Sequence, residues 1–177
     1  MPNETLLGLV FAGLGVYFGV LLLRGLLGYL HFRRLLPTAL LTWPVPRPRA
    51  GRLLFSLGLL SLAITALNGY MARPLHHVAS LGLMALYFLL MVPLAGRIRL
   101  GFYEEGVWAD AGFLPWGRIA RMAFREHPDI VLILLPRGGR GSFRLPVPAD
   151  EYGAARKLIE EKVRARVVNM EGGILGL

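Results

Sequence analysis

The sequence predicts an α-helical membrane bundle of three spans followed by a small α+β domain, and three observations lead there. Three apolar runs in the first half, Thr5–Leu23, Leu53–Met71 and Val78–Ala95, contain no charged side chain. A helix rises about 1.5 Å per residue and the hydrocarbon core is about 30 Å thick, so a run of roughly 20 apolar residues crosses it. After residue 96 the pattern changes to short alternating segments punctuated by Gly and Pro, the signature of strands and turns. Finally, 55% of the chain is hydrophobic, above the roughly 45–50% of soluble domains, and the excess sits before residue 97. The expected division is a transmembrane region at 1–96 and a domain at 97–177.

The charges orient the spans. The net charge is +9; residues 1–96 carry seven Arg against Glu4, while residues 97–177 carry thirteen Lys and Arg against ten acids. The loop between the first two runs holds Arg33, Arg34, Arg47, Arg49 and Arg52, and the next loop holds Arg73. Cytoplasmic loops collect Lys and Arg. The expectation is therefore a multi-pass protein of the inner (plasma) membrane with its N-terminus outside and its C-terminal domain in the cytoplasm. The first run has no preceding positive charge, so it reads as an anchor rather than a secretory signal. Eighteen Arg against two Lys point to a GC-rich bacterial genome.

The first span carries Gly8, Ala12, Gly15 and Gly19 at helical spacing, one face of small residues that lets another helix approach closely. The second span carries a matching stripe of Gly58, Ser61, Thr65 and Asn68. Both read as helix-packing faces, within the bundle or toward a membrane-protein partner or a second copy. Between these spans, Pro44, Pro46 and Pro48 favour an extended, polyproline-like path, and Trp43 is placed for the membrane interface. The short connection Ala72–His77 makes the second and third spans a hairpin.

Beyond the spans, four or five short antiparallel strands are expected: Arg97–Tyr103, Gly106–Ala109, Gly112–Gly117 with Arg118–Arg125, Ile130–Leu135 and Ser142–Val147. A C-terminal helix follows, with Asp150 near its cap and Tyr152, Ala155, Leu158, Ile159 and Val163 on one apolar face. The expected core comprises Trp116, Ile119, Leu158 and Ile159, with Trp116 against the helix.

Glu105-Gly-Val-Trp108, Gly112-Phe-Leu-Pro-Trp-Gly-Arg-Ile119 and the apolar strand Ile130–Leu135 resemble the bacterial PH-like domains attached to membrane anchors, the YcxB-like and related proteins, over about residues 98–165. A complete barrel of that kind has seven strands, so four or five imply a partial, antiparallel PH-like barrel with a C-terminal helix. The resemblance implies a scaffold or binding module rather than a reaction.

Candidate chemistry is sparse. Cysteine is absent, which excludes disulfides, thiolate zinc sites and Cys nucleophiles. His76 and His77 are adjacent, so they diverge, and read as an outer hairpin rather than a metal pair. Glu104, Glu105 and Asp110 read as a solvated hairpin. No metal site, cofactor or catalytic set is expected, and the near-balanced charge of the second domain argues against nucleic acid. The strongest ligand candidate is Arg137-Gly138-Gly139-Arg140. Its arginines can grip phosphate, as in anionic lipid headgroups, and the same residues also make an ordinary hairpin loop. The alternative role is an accessory subunit of a larger membrane complex.

Overall fold

The computed structural model describes residues 2–45, 50–138 and 141–165. These form two compact units, residues 2–32 with 50–98, and residues 33–45 with the described part of 99–165. The second unit thus takes a segment from between the first two spans, which the expected boundary near residue 96 had left with the membrane region.

In the first unit, α1 (Pro2–Leu35), α2 (Gly51–Tyr70) and α3 (Leu75–Ala95) are each long and apolar enough to cross a membrane. At 34 residues α1 is about 51 Å long. That exceeds the roughly 30 Å of hydrocarbon, and the helix continues through Arg24, Arg33 and Arg34 beyond the expected end of the run. The turn between α2 and α3 is tight. Ala72 takes a left-handed conformation (φ 50°) and the N–H of Arg73 donates to the Asn68 carbonyl, which satisfies the end of α2. Each of these helices keeps its backbone hydrogen bonds to itself, so its side chains settle how it packs.

The second unit holds seven strands among the described residues. One antiparallel sheet has the order β1-β2-β3-β4, comprising β1 (Ala39–Pro44), β2 (Arg99–Tyr103), β3 (Gly106–Ala109) and β4 (Gly112–Pro115). The other has the order β5-β6-β7, comprising β5 (Ile119–Arg125), β6 (Val131–Pro136) and β7 (Phe143–Pro146). A C-terminal helix, α4 (Tyr152–Arg164), follows, with Glu151 rather than Asp150 at its cap position. The sheets meet along β7: the Trp43 indole N–H donates to the Pro146 carbonyl (2.8 Å), and the Asp110 N–H donates to the Arg144 carbonyl (3.1 Å). Phe102, Tyr103, Val107, Trp116, Ile119, Leu132, Leu134, Leu145 and Ile159 make the core between them.

Strand β1 corrects the expected polyproline-like path. Residues through Pro44 pair with β2, with Trp43 opposite Leu100, Thr42 opposite Gly101 and Leu41 opposite Phe102, and a bulge between Ala39 and Leu41. Pro46 and Pro48 lie outside the described residues. Trp43, expected at the bilayer interface, is 6% exposed and meets Phe102 edge-on at 6.0 Å. Gly101 makes this pairing possible. Its φ of +140° disfavours any other residue, and a Cβ there would run into the Leu41 carbonyl oxygen. The pairing also carries topological information. β1 precedes α2 and β2 follows α3, so both connections lie on the same side of any bilayer that the α2–α3 hairpin crosses.

Gly101→Ala is accordingly expected to separate β1 from β2 at a cost of about 3 kcal/mol or more, combining backbone strain with overpacking. Thermal melting of the full chain in detergent should fall and protease should enter the 36–45 segment. Wild-type melting and resistance would show that β1 does not pair there.

Candidate functional site

The predicted packing faces assemble around α3. On α1, a Cβ at Gly15 would lie 2.7 Å from Ser80 Oγ, Gly8 faces the His76 ring, and Gly19 faces Leu83. The missing side chain at Gly15 opens the way for Ser80, whose hydroxyl reaches the Phe11 carbonyl of α1 at 2.5 Å and the His76 carbonyl of its own helix at 2.6 Å. Ser80 is therefore a buried polar group with its needs met inside the bundle. Phe18 adds ring contacts with Tyr87 and Phe88 at 5.7 and 5.8 Å. Ala12, Gly15, Gly19, Ser80 and Leu83 also line an open, mostly apolar groove of about 470 Å³ between α1 and α3.

The stripe on α2 is its least exposed face. Gly58 and Ser61 are buried, Thr65 and Asn68 half-buried, and most of their neighbours exposed. A Cβ at Gly58 would meet Phe88 and Leu89 at 3.0 Å, and Thr65 faces Gly82. Ser61, Thr65 and Asn68 each bond a carbonyl four residues back, at Leu57, Ser61 and Ile64. These side-chain groups are thus satisfied within α2 itself. Sequence reasoning missed Ser80, whose signal is its place as the one serine in the third span.

His76 and His77 belong to the first turn of α3 rather than to a loop. Their rings, expected to diverge, lie 4.5 Å apart edge-on, because His76 sits against Gly8 and His77 lies 4.3 Å from Phe11, both on α1. Among the described residues no group of three His, Asp or Glu is placed to hold a metal.

In the second unit, Arg137 and Gly138 enter the β6–β7 connection and are exposed. The Arg137 N–H donates to the Arg118 carbonyl, and Gly138 and Gly141 take φ of +68° and +107°. The glycines thus serve the turn. Gly139 and Arg140 lie outside the described residues. Glu104 and Glu105 are exposed at the β2–β3 turn. Asp110 works structurally, its carboxylate accepting the N–H groups of Ala111 (2.7 Å) and Arg144 (2.8 Å).

The resemblance motif becomes the β3–β4 hairpin and the turn after it. Gly106 is required by close approach, because a Cβ would strike the Leu114 carbonyl. Trp116 is buried, and its ring stacks on Phe102 at 6.0 Å, 3° from parallel. Its N–H donates to the carbonyls of Tyr103 and Glu104, both at 3.1 Å. Its ring stacking and its hydrogen bonds thus go to β2 and the turn after it. Ile119 and Ile159 are buried and Leu158 half-buried. Tyr103 donates to the Arg99 carbonyl (2.9 Å), and burial pushes its hydroxyl up to about 12, against a smaller opposing pull from the Arg99 charge. It therefore stays neutral and supports the fold. Tyr152 donates to the Glu126 carboxylate at 2.7 Å, and that bond raises its pKa.

No family model, curated protein or solved structure matches the chain.

Gly15→Leu is expected to force α1 away from Ser80 and cost about 1–3 kcal/mol, as overpacking does. The melting temperature of the full chain in detergent reports it. An unchanged value would mean that α1 does not dock on α3 through this face.

Proposed function

We propose that the chain is a non-enzymatic integral membrane protein that presents a small PH-like binding or scaffold domain at the inner leaflet. The observation that carries this reading is β1. Because the segment between α1 and α2 supplies a strand, the domain joins the membrane helices through three connections, after α1, before α2 and after α3. A domain tied in this way stays at the bilayer, as a surface-presenting module must. Seven strands in sheets of four and three, with a helix after them, support the PH-like reading, since that is the strand count of such barrels. Its buried polar side chains are spent on backbone carbonyls, as at Trp43, Tyr103 and Trp116, which suits a scaffold. Arginine-rich connections favour a cytoplasmic domain facing anionic lipid. The open groove between α1 and α3 supports a second reading, an accessory subunit whose partner helix fills that groove.

Purification of the full chain from its native membrane in mild detergent separates the two. The module reading expects anionic phospholipid enriched over zwitterionic lipid, with no stoichiometric second polypeptide. A stoichiometric partner without lipid enrichment would favour the subunit. Orientation is read from the same cysteine-free chain. Pro74→Cys should react with an impermeant thiol reagent in intact cells, and Gly153→Cys only after permeabilisation; the reverse would overturn it.

A further inference from the structure

The outer face of the β5-β6-β7 sheet has a composition that the fold does not require. Along β5, Met122 points inward, and along β6 and β7 so do Leu132, Leu134 and Leu145, all at 2% exposure or less. The alternate positions form the other face, on which Val131 is buried, Ala123 and Ile133 are half-buried and Leu135 is exposed. Register places Arg121 opposite Leu135, Ala123 opposite Ile133 and Arg125 opposite Val131, and on the far side of β6 it places Arg144 opposite Ile133. An aliphatic strip on the central strand is therefore flanked by arginines from both edges. Leu135 is 40% exposed, and Arg121, Arg125 and Arg144 are exposed.

Among the described residues, none of these three arginines pairs with a carboxylate. Asp110, next to Arg144, accepts two backbone N–H groups through Oδ1 and makes no ion pair with the Arg144 guanidinium. Like charges gathered on one sheet face without ion pairs repel one another, and an external anion relieves that cost. Guanidinium forks suit phosphate oxygens in particular, and exposed aliphatic side chains between them suit the boundary of headgroups and acyl chains.

We propose that this face, Arg121, Arg125 and Arg144 around Ile133 and Leu135, is where the domain docks on anionic phospholipid. The inference rests on the domain being a module at an anionic leaflet, and it names the surface that the module uses. Chain length favours a bilayer over an acidic protein as the occupant. β2 begins four residues after α3 ends, and β1 four residues after α1 ends, across a 3-10 turn at Leu36–Thr38, and four residues span at most about 14 Å. Headgroups are thus always within reach at high effective concentration, whereas a protein would have to be recruited.

The test uses the full chain in nanodiscs, with a nitroxide on Ala123→Cys at the centre of the face. Ser142→Cys, beside the β6–β7 loop, and Gly153→Cys on α4 serve as comparison positions. In phosphatidylcholine discs containing phosphatidylglycerol at low salt, the Ala123 label should be shielded from a polar nickel chelate and reached by oxygen. High salt or pure phosphatidylcholine should reverse this. Each arginine beside an anionic surface is worth about fivefold in the docking equilibrium, so Arg121→Ser, Arg125→Ser and Arg144→Ser together should lower it about a hundredfold. Circular dichroism of that variant checks that the sheet is intact. If Ser142 responds to anionic lipid while Ala123 stays in water, the face is wrong and the module reading stands. If no position responds, both fail. If Ala123 becomes shielded only when native membrane proteins are added to the discs, an acidic protein takes the face and lipid docking is overturned.

Discussion

The pairing of β1 with β2 is the constraint on which the rest of the molecule depends. It joins two stretches of chain separated by a whole helical hairpin, and it does so at a place where only glycine fits. Thr42 lies opposite Gly101, and the Leu41 carbonyl occupies the space that a side chain at Gly101 would take. From that contact follow the burial of Trp43, its hydrogen bond to Pro146 on the second sheet, and the common side of the two connections. Without β1, β2 would become an edge, with unpaired backbone groups along its length.

The two units are held together by different kinds of contact. The first unit's helices are apolar enough to cross a membrane, and between helices in lipid close approach and interhelical hydrogen bonds decide packing. Gly15 and Ser80 between α1 and α3, and Gly58 against Phe88 and Leu89 between α2 and α3, are the points where this happens. The sheet domain is held instead by burial of large apolar side chains. Phe102, Trp116 and Trp43 form a linked aromatic set, and the indole N–H groups end on backbone carbonyls rather than being left unpaired.

Local signals were legible in the sequence and non-local ones were not. The spans could be read because a charge-free run of that length has few other uses, and the small-residue stripes because helical spacing puts them on one face. Gly106 to Trp116 could be read as a hairpin and turn, and Ile130–Leu135 as a strand, from turn residues and apolar runs. β1 escaped because its prolines announce an extended backbone without naming a partner, and its partner begins some sixty residues later. Trp43 was misplaced for the same reason: at the end of a span, a Trp meant for a core looks like one meant for the interface. The arginines of β5 and β7 were visible one by one, but only the register gathers them on one face.

The central claim, that a strand from between the first two helices completes the domain after the third, can be tested by one cross-link. Pro44 and Arg99 are paired at the exposed end of β1 and β2, and the chain has no cysteine to interfere. Paired residues on adjacent antiparallel strands have Cα atoms about 4.5–5.5 Å apart, within disulfide range. Pro44→Cys with Arg99→Cys in the full chain in membranes should oxidise almost completely. After proteolysis of the connection between α2 and α3, the two fragments should stay joined until reductant is added. Fragments that separate without reductant would contradict the account and return residues 39–44 to a free loop.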